Sequence, residues 1–339
     1  MAQRQIPVEV QSPVRLVRED DVDIETGDRR PGEWIGGQYR LSEKMGEGAM
    51  SAIWLARDEK IDRPVAVKLL PRNRRISPLE RSYLTDRLVR ETRIIEAIDH
   101  PAVVRAIDSG IGDSNDPYLV LELLIGQSFD HVLERGRGLP PESAVQLLLP
   151  IADGLSAAHA VGVVHRDVKP ENLFLAWQAH GKIQPKLIDF GVAKVTQPAN
   201  RKRLTGGAVI GTPEYMAPEQ VIDASSVDCR ADVWSYCVVL YELVSGVVPF
   251  PGRSCQDVLR SVLGGEALPL MTQVGFDPAL WAVIERGLRK DPEDRWVSMR
   301  ELRKSLADWL VSRGAPEGIP PETFATRRSR SSALTSRYP

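Results

Sequence analysis

The chain has 339 residues, 42% hydrophobic and 27% charged, with 25 prolines and 26 glycines, a composition that excludes collagen-like and wholly disordered chains and allows a sizeable core. Its 44 basic and 46 acidic residues leave a net charge of −2, so no global field points to nucleic acid or a membrane surface. Three cysteines (Cys229, Cys237, Cys255) without a CxxC pair exclude a disulfide framework, no apolar run reaches the roughly 18–20 residues of a membrane span, and no apolar leader opens the chain, so a reduced, cytoplasmic protein is the expectation.

Residues 1–37 carry an acidic cluster (Glu19, Asp20, Asp21, Asp23, Glu25) and then glycines and prolines. Without sustained periodicity, they read as a flexible N-terminal extension. From 38 to about 123, β-rich runs dominate at 52–56, 64–70 and 118–121, interrupted by a helical pattern over 78–98. After Ser128 helical patterns take over, at 141–162, about 229–245, 278–289 and 298–312. Residues 313–339 hold five arginines against two glutamates and read as a flexible basic tail. The implied architecture is α+β: a small β-rich lobe (about 38–123) with one helix, then a larger helical lobe (about 124–312).

Gly46-Glu-Gly48-Ala-Met-Ser51-Ala-Ile53 lies between two strand-like runs. Glycines so spaced let a hairpin backbone approach phosphate oxygens with its N–H groups. Ser51 stands where a third glycine is usual, and taken alone the loop is better read as a plain turn. The next run, Val65-Ala66-Val67-Lys68, puts Ala66 and Lys68 on one face of a strand. In the helix that follows, Leu84, Leu88, Glu91 and Ile95 share one face. A carboxylate in that apolar stripe is expensive unless paired, and Lys68 is the obvious partner, whereas Glu80 and Glu96 lie off the stripe. Such a pair would hold the ammonium to reach nucleotide phosphates.

His165-Arg166-Asp167-Val168-Lys169-Pro170-Glu171-Asn172 follows a long helical pattern, and Lys186-Leu187-Ile188-Asp189-Phe190-Gly191 comes shortly after. Each residue type answers a need of phosphoryl transfer. Asp167 can accept or orient a hydroxyl proton, Lys169 can neutralise charge on the moving group, and Asn172 and Asp189 offer hard oxygens to Mg²⁺.

On these motifs the chain resembles a Hanks-type (eukaryotic-like) protein serine/threonine kinase of the bacterial type over roughly 38–312, with the bilobal fold of that family. The resemblance extends to Gly211-Thr212-Pro213-Glu214-Tyr215-Met216-Ala217-Pro218-Glu219, the end of an activation segment. It implies ATP as phosphoryl donor and Mg²⁺, with Mn²⁺ a possible substitute, held by Asn172 and Asp189. It also implies protein substrates with Ser or Thr hydroxyls. Gly46, Gly48 and Ser51 would cover the phosphates, Ile53 and Ala66 would contact the nucleotide, and Lys68, paired with Glu91, would reach the α- and β-phosphates. Leu121 would be the gatekeeper, with Glu122 to Leu124 the hinge to adenine. Asp167, Lys169 and Arg166 complete the catalytic set. Asp232 would hold the catalytic loop, Ile95, His165 and Phe190 would stack as a spine, and Arg295 would pair with Glu219. Lys169 and Thr212 resemble the Ser/Thr rather than the tyrosine-specific pattern.

Between Gly191 and Gly211, Thr196 and Thr205 lie in a basic stretch. Autophosphorylation is expected there, above all on Thr205, with the phosphate neutralising Arg166, and Thr212 just beyond it joins Thr205 and Thr196 as a regulatory residue; a transient dimer is one route to autophosphorylation, and the oligomeric state is otherwise open. Two alternatives stand beside an active kinase: a pseudokinase scaffold, against which Lys68, Asp167 and Asp189 are all present, and a small-molecule phosphotransferase, against which the activation segment is complete.

Overall fold

The computed structural model describes residues 29–48, 51–70, 77–112, 116–134, 138–178, 181–190, 212–223, 227–270 and 277–319. The chain divides into two compact units. The smaller gathers the described residues up to Thr92 together with Ala106–Ile125, and the larger holds Arg93–Arg105 and the described residues from Gly126 onward. The sequence pattern puts the lobe change at about 123, but Arg93–Arg105 already belongs to the larger unit. Its backbone explains this: Val104 N donates to Leu187 O and Leu187 N to Ala102 O, so this stretch is hydrogen-bonded beside a strand of that unit.

The smaller unit is an antiparallel sheet of β1 (Trp34–Ile35), β2 (Tyr39–Glu47), β3 (Ala52–Asp58), β4 (Arg63–Leu69), β5 (Ala106–Ile111) and β6 (Pro117–Glu122), in the order β1-β2-β3-β4-β6-β5. Strand β3 alternates buried and half-buried residues along its length, and its inward Ala52, Trp54 and Ala56 join Tyr39, Leu41, Val65, Val67, Tyr118 and Val120 in one core. Burial of that face is what fixes the register. The sheet curls enough for Tyr39 of β2 to donate to Asp108 of β5 at 2.6 Å. A Cβ on Gly36, where φ is +57°, or on Gly110 would strike the Tyr118 ring, so glycine is required at both close approaches. The last residues of the expected N-terminal extension are part of this unit: β1 pairs with β2, Ile35 is buried, and Arg29 is buried against Glu33 at 2.9 Å.

Helix α1 (Pro78–Ala97) buries Leu84, Leu88, Glu91, Thr92 and Ile95, while Glu80 and Glu96 are exposed. Its N-terminal turn is tied down by Arg81, whose guanidinium donates to both oxygens of buried Asp116 at 2.8 and 2.9 Å.

The larger unit contains β7 (Gly126–Ser128), α2 (Phe129–Leu133), α3 (Pro141–Ala160), β8 (Leu173–Trp177), β9 (Ile183–Leu187), α4 (Pro218–Ile222), α5 (Arg230–Ser245), α6 (Cys255–Gly264), α7 (Pro278–Gly287) and α8 (Met299–Ser312). Helix α5 is buried nearly all round, from Ala231 through Tyr241, and packs among α3, α7 and α8. Ser254, Asp277 and Ser298 cap α6, α7 and α8 by accepting backbone N–H bonds. Cys237 is buried in α5, but Cys229 sits at its N-cap and is only half-buried, outside the helical position the pattern assigned. The expected basic tail starts packed. Gln146 donates to Pro316 O at 2.7 Å, and Arg303 bridges Asp153 and Glu317 at 3.0 and 2.7 Å.

Candidate active site

In the smaller unit, β2 and β3 form a hairpin whose register shifts between Lys44 and Gly46. Gly48 N donates to Ser51 O at 2.8 Å and closes the turn. Gly46 and Gly48 are exposed, and no described atom lies within 4 Å of a Cβ built on Gly46. Packing among the described residues therefore does not demand glycine there. Ile53, half-buried, pairs across the sheet with both Gly46 and Lys68.

Next along the sheet, Ala66 pairs with Leu121 and Lys68 with Leu119. Lys68 Nζ lies 2.5 Å from Glu91 Oε1, with only 7% and 4% of the two side chains exposed. The ion pair expected from the apolar stripe is formed. A charged hydrogen bond in so dry a place is what makes both charges tolerable. Leu121 is buried near the end of β6, with Glu122 and Leu124 half-buried after it.

In the larger unit, a single loop carries His165 to Asn172, and fully buried Asp232 at the start of α5 organises it. Asp232 Oδ2 accepts from His165 N and Oδ1 from Arg166 N, both at 2.8 Å, and Oδ2 also lies 2.7 Å from His159 Nε2. Arg166 is held at φ +64°, a left-handed conformation that costs a non-glycine residue roughly 1–2 kcal/mol. Asp232 on its N–H side and Gln220, whose Nε2 donates to its carbonyl at 3.0 Å, hold it there. The Arg166 guanidinium donates to Val227 O at 3.1 Å, and burial pulls its pKa below the usual arginine value, partly offset by Asp232.

The consequence for Asp167 is a fixed carboxylate. Asn172 Nδ2 donates to Asp167 O at 2.8 Å and to Oδ2 at 3.1 Å, and Lys169 Nζ lies 3.3 Å from the same oxygen. Ile188 N donates to Asn172 O at 3.1 Å and Leu173 pairs with Leu187, so Asn172 and Asp189 sit on neighbouring strands of chain. Phe190 packs on His165 with ring centroids 4.7 Å apart. Thr212 is half-buried and opens the turn Pro213–Tyr215. Thr196 and Thr205 lie outside the described residues.

Arg295 was paired with Glu219 on the family pattern, and the contact is present. The two nitrogens of its fork meet the two carboxylate oxygens at 2.7 Å each, and the remaining donors reach the carbonyls of Arg289, Arg230 and Lys290. All five N–H donors of this buried side chain are used. The sequence reading missed His159 and Gln220. His159 interrupts an apolar helix, a polar residue without evident purpose. Gln220 stands three residues after Ala217, the position from which a side chain reaches back to a helix start, and Ala217 N does donate to its Oε1 at 3.1 Å.

A family description, "Protein kinase domain", matches residues 39–306. The chain is 40% identical over 280 residues to the serine/threonine-protein kinase PkaB of Streptomyces coelicolor, covering 81% of this chain and 64% of that protein. It is 36% identical over 278 residues to the serine/threonine-protein kinase pkn2 of Myxococcus xanthus, covering 80% and 32%. With the serine/threonine-protein kinase PknB of Mycobacterium tuberculosis it shares 33% identity over 306 residues, covering 89% and 47%. The chain thus spans less than two thirds of the length of each of these relatives.

Proposed function

The chain belongs to the protein kinase family, and on that premise we propose that it transfers the γ-phosphoryl group of ATP to Ser and Thr hydroxyls of proteins. The observation that carries this reading is the hold on Asp167. A carboxylate fixed by Asn172 and Lys169, on a loop strained at Arg166 and anchored by Asp232, is suited to receive or orient a hydroxyl proton at Oδ1 or Oδ2.

Each residue then has one task. Gly46, Gly48 and Ser51 let the hairpin backbone cover the phosphates, the Gly48 N–H itself being held by Ser51 O, and Lys68, held by Glu91, neutralises phosphate charge. Ala66 and Ile53 pack on the base, and Leu121, Glu122 and Leu124 line its edge. Lys169 stabilises charge on the transferring group. The side-chain oxygens of Asn172 and Asp189 are hard donors of the kind Mg²⁺ takes, and these two residues would hold it. Bound there, the ion supplies charge neutralisation at the phosphates. The kinase domain is proposed to run over 38–312, with a reducing, cytoplasmic setting in keeping with three free thiols.

Autophosphorylation on Thr205, with Thr196 a second acceptor, is part of the proposal. A phosphate near Arg166 would offset the burial that now disfavours its charge. Thr212, next to Pro213, is assigned to the platform that receives the acceptor hydroxyl. Incubation with Mg·ATP and a generic basic protein, followed by phosphoamino-acid analysis, tests the reading. Phosphoserine and phosphothreonine are expected, and phosphotyrosine alone or no phosphate would overturn it.

A further inference from the structure

We propose that Gln220 is a positioning residue for the proton-accepting carboxylate, acting through the carbonyl of Arg166; the inference rests on the kinase reading above. Gln220 lies in α4, at the end of the segment that contains Ala217, Pro218 and Glu219, and its amide works in two directions. Its Oε1 accepts from Ala217 N at 3.1 Å, which ties the start of α4. Its Nε2 donates to Arg166 O at 3.0 Å, which grips the residue before Asp167. The two bonds fix which end of the amide is which, because a carbonyl can only accept and a backbone N–H can only donate.

Arg166 makes that grip consequential. Its φ of +64° is unfavourable for a residue with a side chain, so the loop relaxes unless it is held on both sides. Asp232 holds the N–H side. On the carbonyl side Gln220 holds the same peptide plane whose nitrogen belongs to Asp167, and that nitrogen sits 3.3 Å from His165 Nδ1. Rotation of this plane would turn the Asp167 carboxylate away from Asn172 and Lys169. The helix start (Ala217–Pro218), the Glu219–Arg295 pair and the Arg166 carbonyl are therefore joined within four residues of chain, 217–220, and Gln220 couples the end of the activation segment to the catalytic loop.

Two substitutions separate this role from simple helix capping. Gln220→Glu keeps an oxygen for Ala217 N but replaces the donor facing Arg166 O with a second oxygen. Gln220→Met removes both bonds. We expect Gln220→Glu to unfold at the wild-type temperature yet lose about ten- to thirtyfold in kcat, with KM for ATP within about twofold of wild type. Gln220→Met should lose a similar factor in kcat and also unfold earlier, having lost the cap. Wild-type kcat in Gln220→Glu would overturn the proposal, as would losses in kcat that simply track unfolding temperature across the two variants. Absence of phosphoryl transfer by the wild-type protein would strike the kinase reading instead, so the two failures are distinguishable.

Discussion

At the scale of single residues, the larger unit contains a side chain with every donor satisfied and a backbone bent against its preference. Arg295 is the first and Arg166 the second; Arg295 reaches the carbonyl of Arg230 at the start of α5, two residues before the Asp232 that anchors the loop carrying Arg166. Glu91 was legible because a lone carboxylate in an apolar helical stripe asks for a partner, and Lys68 answers at 2.5 Å. The left-handed Arg166 was not legible, since such a backbone is normally announced by glycine and here is imposed by hydrogen bonds from elsewhere in the chain. The buried pair makes a direct prediction. Glu91→Gln leaves the Lys68 ammonium buried beside a neutral amide and should lower stability by about 3 kcal/mol. Chemical denaturation measures this, and a variant as stable as wild type would show that the pair contributes nothing to holding α1.

At the scale of elements, the long helices were read from their period, while the course of some strands was obscured for identifiable reasons. The bulges in β2 between Leu41 and Glu43 and between Lys44 and Gly46 break its alternation. Strand β9 contains Pro185, a residue that argues against a strand in a sequence pattern. Helix α6, capped by Ser254 and burying Val258 and Val262, is held at its far end by a lysine as well. Lys290 Nζ donates to Val262 O at 2.7 Å near its C-terminal end and lies 3.8 Å from the centroid of the Phe250 ring. Burial, aided by the charge of Arg295, lowers the Lys290 pKa from 10.5 to about 8. Below that value folded and unfolded chains both carry the proton. Between it and 10.5 the folded chain gives it up first, the unfolded chain binds more protons, and this group's unfavourable contribution is relieved as pH rises. Denaturation of wild type and Lys290→Met at about pH 7.5 and 9.5 should therefore show the difference moving in favour of wild type at the higher pH. A difference independent of pH would contradict the assignment.

At the scale of the whole molecule, the chain is two compact units, each with its own share of the candidate site residues. The smaller holds the glycine hairpin and the Lys68–Glu91 pair, and the larger holds Asp167, Lys169, Asn172 and Asp189. The division between them was only partly legible, because composition changes gradually along the chain while Ala102 and Val104 are recruited by backbone bonds to β9. Among the described residues, the inner edges of the two extensions are anchored without an apolar run, Trp34–Ile35 by strand pairing and Pro316 by one buried glutamine. No helix among the described residues is long and apolar enough to cross a membrane. The central claim is the proposed phosphoryl transfer, for which residues of both sets are required. Transfer of label from γ-labelled ATP to a generic basic protein, compared among wild type, Lys68→Met and Asp167→Asn, tests it most directly. Labelling by wild type with loss of about a hundredfold or more in each variant is predicted; no labelling by folded wild-type protein, or equal labelling by all three, would contradict it.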